Sequence, residues 1–250
     1  SENSAYGRNR FERLLNRKSI SPDYLLCPSD GLRQIFLSAF KVSSDSIVVC
    51  GYYRNLPFYM SQDELDAFIQ ESGERELIAL QKLILQGHFE RVVIYMPTFR
   101  DADPDFLSKA VPDFDRLNSV CQTQGILLLF KMHRATKVST NFSSYSNLVW
   151  VDSKIDIYPI LPYTHMLVTD YSSIFFDYAL LNKPVLFYSF DLDCYQTKSR
   201  ELYFKYDDIV GQSAWVQTFD GLLKALGTIS EIENREIMFF DKPCEFDEIL

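Results

Sequence analysis

Five short stretches of this chain are apolar almost without interruption: Arg91–Met96, Gly125–Met132, Asn147–Val151, His165–Thr169 and Pro184–Tyr188. A strand with one wet face alternates polar and apolar residues, and these do not, so they are expected to be covered on both faces. Segments of helical periodicity separate them: Asp105–Gln124 with Pro112 as its breaking point, a short helix over Ile157–Leu161, Ser172–Leu181, and Gln217–Leu226. Buried strands alternating with helices predict an α/β fold, a doubly wound parallel sheet with helices on both sides.

The opening segment reads differently. Tyr24–Cys27 and Ser46–Cys50 are short strands around a helix from Ser29 to about Phe40. Two strands are too few for a sheet domain, so residues 1–60 read as the end of an α/β domain begun upstream. Residues 61–88 carry a charged helix pair, with Ser61 and Glu64 in capping-box spacing. Residues 89–228 hold the main sheet, and 229–250 form a tail rich in Glu and Asp.

Bulk properties exclude several classes. With 47% apolar residues in 250, a sizeable core is expected. A net charge of −9 argues against a broad nucleic-acid face. Five scattered cysteines, Cys27, Cys50, Cys121, Cys194 and Cys244, form no C-x-x-C pair and are expected to be buried reduced thiols in a cytoplasmic setting. No apolar run approaches the ~20 residues that span a bilayer.

Ligands of an open parallel sheet sit beyond the carboxyl ends of its strands. The residues just past each strand end are therefore site candidates. Thr98, Arg100 and Asp101 come after the first stretch, and Lys131, His133 and Arg134 close the second. Asp170, Tyr171, Ser172 and Ser173 come after the fourth, and Tyr52, Arg54 and Asn55 after the earlier strand ending at Cys50. Cations and hydroxyls gathered on an acidic protein suit a polyanion such as a nucleoside diphosphate. The Asp170–Ser173 turn runs straight into a helix, which is both ordinary capping chemistry and a phosphate seat. His133 could satisfy local backbone, but Lys131 and Arg134 beside it favour a phosphate. Arg100 beside Asp101 could be a surface ion pair worth little, but a functional role is the preferred reading. Asp177 and Tyr178 read as helix packing, His88 and His165 as structural, and Asp101-Ala102-Asp103 as a chance D-x-D; no metal or cofactor is expected. G-x-G-x-x-G, P-loop and G-x-S-x-G motifs are absent from the sequence.

Taken in order, Gly51-Tyr52-Tyr53-Arg54-Asn55, Tyr95-Met96-Pro97-Thr98-Phe99-Arg100-Asp101, Lys131-Met132-His133, Asp156-Ile157-Tyr158-Pro159, Thr169-Asp170-Tyr171-Ser172-Ser173 and Lys183-Pro184-Val185-Leu186 resemble the CDP-glycerol glycerophosphotransferase family. That resemblance implies the GT-B architecture, with 89–228 as the Rossmann-like donor domain and 1–60 as the remnant of an acceptor domain. It implies that Ser172 and Ser173 bind the donor pyrophosphate and that His133 stabilises charge on a phosphate. Thr98, Arg100, Lys131, Arg134 and Asp170 would line the donor site, with Tyr52, Arg54, Asn55 and Arg200 at the cleft. The sequence departs from the family pattern at Tyr53, Leu56, Arg134 and Glu201, so the donor's polyol stays open. The family's N-terminal His-Gly-Thr-Pro motif is not among these residues and is expected upstream of residue 1.

The resemblance therefore implies a transferase moving a polyol phosphate from a CDP-linked donor to a polymer or lipid-linked acceptor, releasing CMP, in the cytoplasm or peripherally at the membrane's inner face. Two alternatives stay open: a sugar-nucleotide glycosyltransferase of the same fold, and a nucleotide-binding module inactive without its N-terminal base.

Overall fold

The computed structural model describes residues 22–100, 103–136, 140–198, 206, 210 and 214–229. Asp101, Arg200, Glu201, Cys244 and the 230–250 tail lie outside these.

The described residues open with β1 (Leu25–Cys27), α1 (Asp30–Phe40) and β2 (Ile47–Val49), and β1 and β2 pair in parallel as a two-stranded sheet. Cys27, Leu32 and Ile47 form its small core. A 3-10 turn over Tyr53–Phe58 leads to α2 (Gln62–Glu71) and α3 (Arg75–Gln86). The capping box forms: Ser61 N–H donates to Glu64 Oε2 at 2.8 Å, and Glu64 N–H donates to Ser61 Oγ at 3.4 Å.

The main sheet is built from β3 (Arg91–Tyr95), β4 (Ile126–Lys131), β5 (Leu148–Val151), β6 (Met166–Thr169), β7 (Val185–Tyr188) and β8 (Ala214–Val216). Its order is β5-β4-β3-β6-β7-β8, parallel throughout. This is the doubly wound order, with the winding reversed between β3 and β6. Between the strands run α4 (Phe106–Ala110), α5 (Phe114–Thr123), α6 (Ile174–Ala179) and α7 (Leu192–Lys198), and α8 (Phe219–Gly227) comes after β8. The helical stretch expected over Asp105–Gln124 is broken at Pro112, which lacks the N–H to continue it, into α4 and α5. Asp113 restarts the chain by accepting from Arg116 N–H at 2.8 Å. The short helix expected over Ile157–Leu161 is present as a 3-10 helix over Tyr158–Tyr163 carrying Pro159 and Pro162.

Both sheet faces are dry, as the unbroken apolar runs require. Val92, Ile94, Leu127 and Leu129 point to one side, onto Leu65, Ile69, Leu77 and Leu80 of α2 and α3. Val93, Tyr95, Leu128 and Phe130 point to the other, onto Phe106, Leu117, Cys121, Leu222 and Leu226 of α4, α5 and α8. Gly125 takes φ +61 where α5 turns into β4, a left-handed position that disfavours side chains. No helix among the described residues is long and apolar enough to cross a membrane.

Candidate functional site

The reversal of winding opens a crevice beyond the carboxyl ends of β3 and β6. Pro97–Arg100 and Asp170–Ser173 flank it, with Lys131–Arg134 at the neighbouring end of β4.

Asp170 organises the central turn. Its fully buried carboxylate accepts from Thr98 N–H at 2.8 Å and Tyr171 N–H at 2.5 Å on Oδ1, and from Arg100 Nη2 at 2.8 Å on Oδ2. Arg100 reaches onward to Asp191, with Nε to Oδ2 at 2.8 Å and Nη2 to Oδ1 at 2.9 Å, while Nη1 donates to Thr98 O at 2.6 Å. Its side chain is 4% exposed, and its guanidinium lies within 4.9 to 6.0 Å of the Phe106, Tyr171, Phe190 and Tyr195 rings. Burial raises the Asp170 carboxyl, opposed by the Arg100 guanidinium and the Thr98 N–H. Arg100 is itself raised: its desolvation is outweighed by the Asp191 and Asp170 carboxylates. Arg100 is thus no surface ion pair. Every nitrogen of its fork already donates, and with Thr98 and Asp170 it fastens the loops after β3, β6 and β7.

The serines beyond that turn are open. Ser173, at the start of α6, is exposed and makes no side-chain cap bond, and Ser172 is half-buried. Neither hydroxyl has a partner among the described residues.

At the end of β4 the three neighbours diverge. Lys131 Nζ donates to Asp152 O at 2.6 Å and Ile155 O at 2.7 Å, fastening the loop after β5; burial lowers its ammonium. His133 is exposed, its ring 4.8 Å from that of Phe99. Its Nδ1 accepts from Ala135 N–H at 3.2 Å. In the neutral ring this leaves the proton on Nε2, which has no partner among the described residues. Arg134 is exposed and has no ion pair among those residues either.

Tyr52, Arg54 and Asn55 come together at Asp177. Arg54 Nε and Nη2 donate to Asp177 Oδ2 at 3.2 and 3.0 Å, and Asn55 Nδ2 donates to Oδ1 at 3.1 Å. Tyr52 lies under the guanidinium at 4.2 Å. Desolvation pushes the Tyr52 phenol up to about 12, with Arg54 opposing it. No cluster of three His, Cys, Asp or Glu able to hold a metal occurs among the described residues.

The profile of the CDP-Glycerol:Poly(glycerophosphate) glycerophosphotransferase family matches residues 1–248. This chain belongs to that family. It is 26% identical over 249 residues to a teichoic acid poly(glycerol phosphate) polymerase of Staphylococcus epidermidis, covering 95% of this chain and 33% of the relative. It is 30% identical over 236 residues to a teichoic acid glycerol-phosphate transferase of Staphylococcus aureus, covering 90% and 57%. The solved structure of the wall teichoic acid polymerase TagF superposes with TM-score 0.67 at 27% identity, over 89% of this chain and 52% of that one. The chain thus spans between a third and somewhat over half of these relatives. A UDP-GlcNAc 2-epimerase from Methanocaldococcus jannaschii, at TM-score 0.51 and 14% identity over 98% of this chain and 67% of its own, shares the fold alone.

Within this glycerophosphotransferase-family chain, two carboxylates escape sequence reasoning. Asp191 comes after β7, and the strand-end rule would find it if carried one strand further. Asp177 reads locally as packing, yet it is 3% exposed and ion-paired to Arg54. Nothing local marks it, since Arg54 and Asn55 lie 123 and 122 residues away. Of the departures from the family pattern, Tyr53 is 71% exposed, Leu56 is half-buried in the 3-10 turn, and Arg134 stands open beside His133. Cys27 and Cys121 are buried as expected, whereas Cys50 is half-buried and Cys194 exposed; none of these four forms a disulfide among the described residues.

Proposed function

We propose that this chain is the donor-binding portion of a transferase that moves a polyol phosphate from a CDP-linked donor to a hydroxyl of a growing cell-surface polymer, with CMP leaving. The observation that carries this reading is the set of unengaged donors around the switch-point crevice: the Ser172 and Ser173 hydroxyls, His133 Nε2 and the Arg134 guanidinium. The ends of β4 and β6 are two strand spacings apart, about 10 Å, a span suited to an extended nucleotide diphosphate. Membership of the glycerophosphotransferase family supports the donor class, and the TagF structures include an H444N variant with CDPG.

In this reading the serines seat the pyrophosphate. His133, with its proton fixed on Nε2 by the Ala135 N–H, donates to a phosphoryl oxygen as charge builds there. Arg100, Asp170 and Thr98 hold the seat in shape, and Lys131 holds the neighbouring loop. The acceptor hydroxyl attacks the donor's β-phosphorus and gives up its proton to a general base or to water, the phosphoanhydride bond breaks, and CMP departs with the electron pair.

The test is His133→Ala in the full-length enzyme. Turnover is expected to fall about 10²–10³-fold, the loss typical of a positioned charge-stabilising donor, with the melting temperature unchanged. Ordinary activity in that variant would overturn the assignment. A screen of CDP-, UDP- and GDP-linked compounds by thermal shift should select CDP; selection of a UDP-sugar would point instead to glycosyl transfer.

A further inference from the structure

Asp177 sits within α6, directly beyond the Ser172–Ser173 seat, and its carboxylate collects donors from two distant turns. Arg54 and Asn55 come from the 3-10 turn after β2; the Tyr158 hydroxyl, at 2.8 Å, comes from the 3-10 turn that precedes β6. The two turns also touch directly, with the Phe58 and Tyr158 rings stacked at 5.8 Å and 16°. A carboxylate 3% exposed would be costly without such partners, and a fork-on-carboxylate pair fixes both distance and angle. Asn55 is 1% exposed and leaves its Oδ1 without a hydrogen bond, a penalty that an aliphatic side chain would avoid. Its Nδ2 bond to Asp177 is what an amide supplies there and an aliphatic group could not. Arg54 is 47% exposed and lies on the Tyr52 ring, so the latch opens to solvent on one side.

We propose that Arg54 and Asp177 form a positioning latch: they fix the β1–β2 unit against the helix that carries the donor seat, so that donor and acceptor sides keep a set distance. Its effect on turnover rests on the transferase reading above, but the latch itself is a mechanical link between two parts of the fold. Neither residue touches the reacting atoms; they act through α6. Positioning of this kind influences rate far more than affinity, because misalignment weakens attack without removing a ligand contact.

The experiment uses the full-length enzyme with Asp177→Asn, Arg54→Gln, the double variant and Tyr158→Phe. Amide hydrogen exchange is followed over 52–58 and, as reference, over 126–130 in β4. Each of the first two variants should speed exchange over 52–58 about tenfold and leave β4 unchanged, the double should match the singles, and Tyr158→Phe should give a smaller rise. In parallel, kcat should drop about 10-fold or more while the dissociation constant for CDP-glycerol stays within about twofold. Unchanged exchange over 52–58 in both single variants, or an additive double, would overturn the latch. If Asp177→Asn does not fold, Arg54→Gln and Tyr158→Phe decide alone. Absence of transfer by the wild-type enzyme would count against the transferase reading only, since exchange still decides the latch.

Discussion

The loops after β3 and β4 leave neighbouring strands of one sheet, and both carry cations to the same crevice. After β3, Arg100 is buried between two aspartates and several rings. After β4, His133 and Arg134 are exposed and their outward groups unengaged. Position at a strand end is therefore not enough to mark a ligand contact. What separates the two is whether a carboxylate from another strand end reaches the cation first. Asp170 and Asp191 reach Arg100; nothing described reaches Arg134. The closed rim shapes the crevice, and in the proposed function it is the open rim that meets the ligand.

The sharpest way to break this contrast is Arg100→Ala. It would leave Asp170 buried and unpaired, and should cost about 3–5 kcal/mol in chemical denaturation, the usual penalty for stripping one partner from a buried ion pair. Arg100→Lys keeps the charge but loses the fork, so it should fall between. A loss no larger than that of an exposed substitution would show the rim is not closed. Lys131→Met should cost less, about 1–3 kcal/mol, because two carbonyls lose a charged donor at the edge of the protein. Smaller still, His133→Ala and Arg134→Ala should leave the denaturation midpoint where it was, while reducing the stabilisation conferred by a CDP-linked ligand. A shift from either that matched Lys131→Met would erase the distinction between the rims.

Much of this fold is legible in one sequence. The five apolar runs correspond to β3 to β7 within a residue or two at each end, because dry strands have no other way to be written. β8 is not legible: Ala214-Trp215-Val216 is three residues long and only partly buried at the sheet edge. The site is legible as a list of positions but not as a set of roles. Ser172, His133 and Arg100 look alike in a strand-end inventory, and their separation depends on partners such as Asp191, 91 residues from Arg100. Such pairings are fixed by topology rather than by any local pattern.

The smallest effect lies at the opposite end of the strands, away from the crevice. His165 precedes β6, and its Nδ1 accepts from Val92 N–H at 3.0 Å, which requires the ring to be unprotonated at that atom. Desolvation, then the charges of Lys183 and Arg91, lower its pKa below the ordinary histidine value. The unfolded chain therefore binds a proton more readily than the folded one between the depressed value and about 6.5. The stability His165 contributes is complete above about pH 6.5 and is lost as pH falls toward the folded value. His165→Asn, whose amide oxygen can still accept from Val92 without titrating, should show a shallower fall in melting temperature between about pH 7.5 and 5.5. Because this residue is remote from the crevice, nucleotide binding should be unaffected by the substitution at either pH. A pH-dependent change in binding in His165→Asn would mean that the two ends of the sheet are coupled, contrary to the division between scaffold and site drawn from Arg100 and His133.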